Sequence, residues 1–170
     1  MAKPWPVPDL DPQAPIAPNA RAILAVRAGE LLSYDAIFPD AKAIAALHNA
    51  RIAAKRLRYT LELFPDVFGD DGDAALADVR ALQEELGLVH DRDVMIATIQ
   101  TRLGSLIEEH GANTDAIRAS LEVVLARVTR DRKTQHRAVA AQWKRLMKGD
   151  FRDRLALLSG DHTIPVTSPA

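Results

Sequence analysis

Apolar residues return every three or four positions over long stretches of the chain. Leu47, Ala50, Ala54, Leu57, Leu61 and Phe64 gather on one side of a helix of 3.6 residues per turn, and Leu121, Leu125, Val128, Val139, Trp143 and Leu146 do the same further along. The pattern predicts helices over residues 19–37, 40–64, 73–89, 91–110 and 114–148, with a short one over 151–158. Asn19, Asp40, Asp73, Asp91 and Asn113 or Thr114 suit N-caps, Pro39 and Pro65 stop what precedes them, and Gly111 and Gly149 suit helix ends. The connections are short, so neighbouring helices should run antiparallel. The expected fold is therefore all-α, an antiparallel up-and-down bundle of about five helices. One conflict stands out: Arg132 and His136 fall on the apolar side of the last long helix. Either that helix breaks near Arg130 or Arg132 reaches an acidic partner.

Composition sharpens this picture. The 170 residues are 48% hydrophobic but only 5% aromatic, enough for one domain with an aliphatic core. Six of the ten prolines lie in the first 18 residues, which predicts an extended arm over 1–18, a helical bundle over 19–158 and a tail over 159–170. There is no cysteine, which excludes disulfides and a thiolate zinc site. No apolar segment has the length of a signal peptide core or of a membrane span. The expectation is a soluble, cytoplasmic protein.

The formal net charge of -1 hides a partition. Residues 41–61 carry five Lys or Arg and no acid, residues 127–148 carry eight against Asp131, and residues 62–93 hold ten acids against Arg80 and Arg92. On a helix, His48, Arg51, Lys55 and Arg58 fall within an arc of roughly 80°, opposite the apolar face. Arg grips phosphate oxygens in a planar fork and Lys adds a mobile ammonium, so a stripe of them suits an extended polyanion. A solvated helix face, with Arg58 paired to Glu62 at i, i+4, is the plain alternative. His48 could donate to phosphate, or fix a neighbouring helix instead. Tyr59 flanks the stripe, as a hydroxyl donor or in packing. Arg130, Lys133, Arg137, Lys144 and Lys148 form a second stripe within roughly 60°. Beside the first it would make a groove of focused positive potential, and apart from it a wet surface.

His48, Arg51, Ile52, the run Lys55 to Tyr59 and the run Leu61 to Phe64, followed by Leu82-Gln83, Leu86-Gly87, Asp91 and Val94, resemble the signature of CHAD domains, the conserved histidine α-helical domains. The resemblance implies an all-helical module that binds inorganic polyphosphate without catalysis, needing no metal or cofactor. By this likeness the ligand contacts are His48, Arg51, Lys55, Arg58 and Arg56. Spacing, not the likeness, adds Arg130, Lys133, Arg137 and Lys144 as contacts if the second stripe lies beside the first, and Gln83, Gly87 and Asp91 are read as structural, Asp91 as a helix cap. Many members of the family contain two related halves, whereas this chain has one copy of the signature. A homodimer would restore a two-sided arrangement. The implied location is the cytoplasm, in association with polyphosphate-containing granules. Some relatives carry a catalytic domain marked by Glu-x-Glu-x-Lys, which is missing from this sequence.

Three rivals compete with that reading. His48, His90-Asp91 and a later acid such as Asp115 or Asp131 loosely imitate the ligand set of HD-type metal-dependent phosphohydrolases. The same basic residues would neutralise a nucleic-acid backbone, although the chain offers few aromatics for stacking bases. A scaffold docking on an acidic protein partner is the third.

Overall fold

A computed structural model describes residues 3–8, 10–106 and 112–169. It is all-helical, with α1 (Ile16–Leu32), α2 (Ile44–Leu63), α3 (Pro65–Ser105), α4 (Ala112–Lys148) and α5 (Phe151–Ser159), and one 3-10 turn at Asp35–Ile37. α3 packs against both α2 and α4, which hardly touch each other, while α1 lies against α2 and α5 closes the end against α1 and α3. Leu24, Leu31, Leu57, Leu82, Val79, Val139 and Leu155 form the centre of one aliphatic core.

Besides the end of α1, which falls at Leu32 rather than at residue 37, the helices differ from the sequence expectation in three places. α1 begins at Ile16 and takes Pro18 into its first turn, where proline's missing N–H costs nothing. α2 begins at Ile44 rather than Asp40, because residues 33–43 are held in place by α4. Phe38 stacks on Trp143 at 4.0 Å between ring centres, Trp143 Nε1 donates to Asp35 Oδ1 at 2.6 Å, and Arg132 donates to the Ala41 carbonyl at 2.5 Å. The third difference is the largest. Residues 73–105 are one uninterrupted run of helix, and Asp73 and Asp91 lie inside it, so neither caps a helix. The bend in α3 falls instead at Gly69, whose φ of 54° is a conformation that favours glycine. The stop expected at His110 and Gly111 lies outside the described residues. Gly149 does follow the end of α4, where its N–H bonds to the Arg145 carbonyl.

The conflict on α4 resolves through ion pairing: the helix is continuous, and buried Arg132 meets Asp93 of α3 at 2.8 Å. The arm and tail both lie against α1. The Trp5 N–H donates to Glu30 Oε1, Arg27 donates back to the Trp5 carbonyl, and the Pro165 carbonyl passes over Gly29. A Cβ at position 29 would come within 2.4 Å of that carbonyl oxygen, so the tail's close approach requires glycine there.

Candidate polyanion-binding site

α2 is amphipathic in the simplest sense. Leu47, Ala50, Ala54, Leu57 and Leu61 are buried, and the basic residues between them emerge along the flank that faces α3. Because α3 is continuous, Arg80, Gln83, Gly87 and His90 fall within an arc of roughly 80° on that helix. The two helices run antiparallel in a register that sets His48 by His90 and Arg51 by Gly87. The same register carries Lys55 to the level of Gln83, and Arg58 to the level of Arg80.

At one end the Nδ1 atoms of His48 and His90 lie 3.3 Å apart, with ring centres at 4.5 Å. Burial pushes the His48 pKa below its ordinary value, and His90 and the Arg51 guanidinium push it the same way. Next along, Arg51 lies over Gly87, and a Cβ there would sit 3.8 Å from Arg51 Nε, in ordinary contact. A side chain longer than alanine at position 87 would press on the guanidinium. Arg51 Nε is buried with no hydrogen-bond partner among the described residues. Lys55 and Arg58 both lie over the Tyr59 ring, at 5.4 and 4.8 Å from its centre. At the far end Glu62 sits between two arginines, 3.7 Å from Arg58 Nε and 2.8 Å from Arg80 Nη2. Among the described residues, neither Arg51 nor Lys55 has a carboxylate within ion-pair distance. The flank is thus cationic beyond what Glu62 neutralises.

Arg56 points elsewhere. It turns to α1, where its Nη1 reaches Glu30 Oε1 at 3.0 Å in a pair shared with Arg27. Arg130, Lys133, Arg137 and Lys144 are exposed along α4, a helix that α3 separates from α2. Gln83 is half-buried, its Oε1 without a hydrogen-bond partner, and Asp91 is exposed on the α3 surface.

His90 and Arg80 were not among the expected contacts. A helix that stops at residue 89 leaves out His90, whereas one unbroken helix puts it in line with Gln83 and Gly87; Arg80 shares that helix in either case, and only the register with α2 sets it beside Glu62. Of the residues that imitate a metal-dependent phosphohydrolase, His48 and His90 come together, while Asp91, Asp115 and Asp131 are exposed and Asp131 lies 4.0 Å from Arg127. Among the described residues no three His, Asp or Glu side chains converge in a way that would hold a metal ion.

Comparison with known proteins adds one match, to the CHAD domain family model over residues 2–100. Neither the curated proteins nor the solved structures contain a match to the chain.

Proposed function

Because the chain belongs to the CHAD domain family, a family associated with polyphosphate binding, we propose that it binds inorganic polyphosphate without turning it over, on the flank of α2 that runs beside α3. The reading rests on Arg51 and Lys55, cationic side chains without an acidic partner, and above all on the buried, unbonded Arg51 Nε. A buried donor without an acceptor costs free energy, and a phosphate oxygen supplies the missing acceptor. From His48 to Arg58 the stripe extends about 15 Å along the helix at 1.5 Å per residue, which suits several consecutive phosphates better than a single one. His48, Arg51, Lys55 and Arg58 are the proposed contacts, and Arg80 widens the cationic edge. The exposed α4 residues Arg130, Lys133, Arg137 and Lys144 add longer-range attraction or hold a second stretch of a long polymer. Arg56 contributes through the fold, by its pair with Glu30.

The mechanism is charge neutralisation with release of counterions, so affinity falls as salt rises. No metal or cofactor takes part. A homodimer would present two such flanks to one polymer and gain avidity from linkage alone. We place the protein in the cytoplasm, on free polymer or on polymer-rich granules. Among the described residues no helix is long and apolar enough to cross a membrane.

Calorimetric titration with long-chain polyphosphate at two salt concentrations, run beside a nucleic-acid homopolymer, tests the reading. Tight, salt-weakened binding that favours polyphosphate supports it. Equal binding to both polymers favours the nucleic-acid reading, and phosphate release in the presence of a divalent metal, abolished by His90→Ala, favours the phosphohydrolase.

A further inference from the structure

The pair of imidazoles at the end of the stripe has a property that the arginines lack. Facing nitrogens 3.3 Å apart share one hydrogen bond when both rings are neutral, one ring donating and the other accepting. In that state the facing nitrogens spend their one shared proton on each other and offer an anionic oxygen no donor. One added proton takes up that lone pair and breaks the hydrogen bond between the rings, and the two facing N–H groups, with one positive charge between them, then need an acceptor at the same place. We propose that His90 and His48 together form an anion-binding element at the end of the stripe, and that the pair takes up a proton as the phosphate chain binds.

The surroundings set the direction of this coupling. Burial opposes a positive charge on His48, and Arg51, one turn away on α2, acts in the same sense. On α3, Asp93 borders the same groove of about 560 Å3, but α4's Arg132 already neutralises it at 2.8 Å. The groove is otherwise lined by Asn49 and apolar side chains, among them Ile44 and Val94. In the free protein these surroundings disfavour a proton on His48. A polyanion lying along Arg51 and Lys55 reverses the balance, because a nearby negative charge favours the protonated imidazole. By linkage, uptake of one proton strengthens binding by up to about tenfold for each unit of pH lowered across the transition. The inference rests on the polyphosphate reading and adds its regulation: the stripe grips more tightly as the surroundings acidify.

The test is calorimetry with long-chain polyphosphate at neutral pH in two buffers of different ionisation enthalpy, which reads protons taken up on binding directly. Long chains are used because terminal phosphates titrate near neutrality themselves. The expected result is uptake of about half to one proton by the parent, uptake near zero for both His90→Asn and His48→Asn, and an affinity that rises several-fold from pH 8 to pH 6 only in the parent. Either variant suffices should the other fail to fold, as judged by circular dichroism. Binding without proton uptake, or uptake that persists in the variants, overturns the proposal and leaves the polyphosphate reading standing. No binding at any pH overturns both.

Discussion

Arg56 Nη1 lies 3.0 Å from Oε1 of Glu30, a carboxylate on α1 whose side chain is 3% exposed, so the one arginine of the expected contacts on α2 that turns to α1 helps to hold the bundle together. The same carboxylate receives the Trp5 N–H at 2.7 Å and Arg27 at 2.5 Å, tying the N-terminal arm to α1 and α2. Removing Arg56 leaves Glu30 still paired with Arg27, and the loss is accordingly smaller than for an isolated buried charge. Arg56→Ala should cost about 1–3 kcal/mol, and Arg51→Ala much less. Urea unfolding of the two variants checks this, and equal losses would contradict the division of labour between them.

Arg132 and Asp93 form a nearly buried pair between α4 and α3, with side chains 8% and 10% exposed. Arg132→Met strands the Asp93 carboxylate and removes the bond to the Ala41 carbonyl. A loss of about 3–5 kcal/mol is expected. Adding Asp93→Leu to that variant should recover a large part of it, since a buried pair replaced by apolar groups is often neutral. A thermal denaturation series of the three variants measures the recovery, and a double variant no better than Arg132→Met would show that the pair's charge is not the main issue.

Gly87 gives the Arg51 guanidinium its place. Gly87→Ala adds a methyl in ordinary contact with Arg51 Nε and should stabilise the helix by about 0.5–1 kcal/mol with binding retained. Gly87→Met should displace the guanidinium and weaken polyphosphate binding several-fold while the protein stays folded. Melting temperature and affinity, measured together, separate the two effects.

His136 is 5% exposed, and its Nε2 has no hydrogen-bond partner among the described residues. Burial holds its pKa below the ordinary value, nearby Arg132 acts in the same sense, and a hydrogen bond to the Phe38 backbone acts against them. The folded state therefore binds fewer protons than the unfolded state near the ordinary histidine pKa, and stability rises with pH there. His136's contribution is complete above about pH 6.5 and is lost progressively as pH falls below it. The melting temperature of the parent should drop between pH 7.5 and pH 5.5, and His136→Gln should flatten that drop. An equally steep profile in the variant would assign the acid sensitivity to another group, with His48 the next candidate because its pKa is lowered as well.

The sequence shows the amphipathic face of α2 plainly, because Leu47, Ala50, Ala54, Leu57 and Leu61 follow helical spacing without interruption, and all five are buried. Asp91 misleads for a physical reason. An aspartate before an apolar run has the chemistry of an N-cap, but capping propensity amounts to about 1 kcal/mol, and packing of α3 against α2 and α4 along its length outweighs it. Arg132 shows the limit of periodicity from the other side. Its position on an apolar face signals either a break or a partner, and only the fold brings Asp93, 39 residues away, within reach. For the site, spacing alone collects His48, Arg51, Lys55 and Arg58. It does not separate Arg56, whose role depends on Glu30, or find His90, whose role depends on the register between two helices.

The measurement that bears most directly on the central claim compares the parent with the Arg51→Ala, Lys55→Ala, Arg58→Ala triple variant in calorimetric titration with long-chain polyphosphate, after circular dichroism has established equal helicity. All three side chains lie outside the buried face of α2, so the variant should fold, bind at least tenfold more weakly by loss of several charge-assisted contacts of about 1 kcal/mol or more each, and show a shallower dependence of affinity on salt. Unchanged affinity in a folded triple variant would contradict the assignment of the site to the flank between α2 and α3.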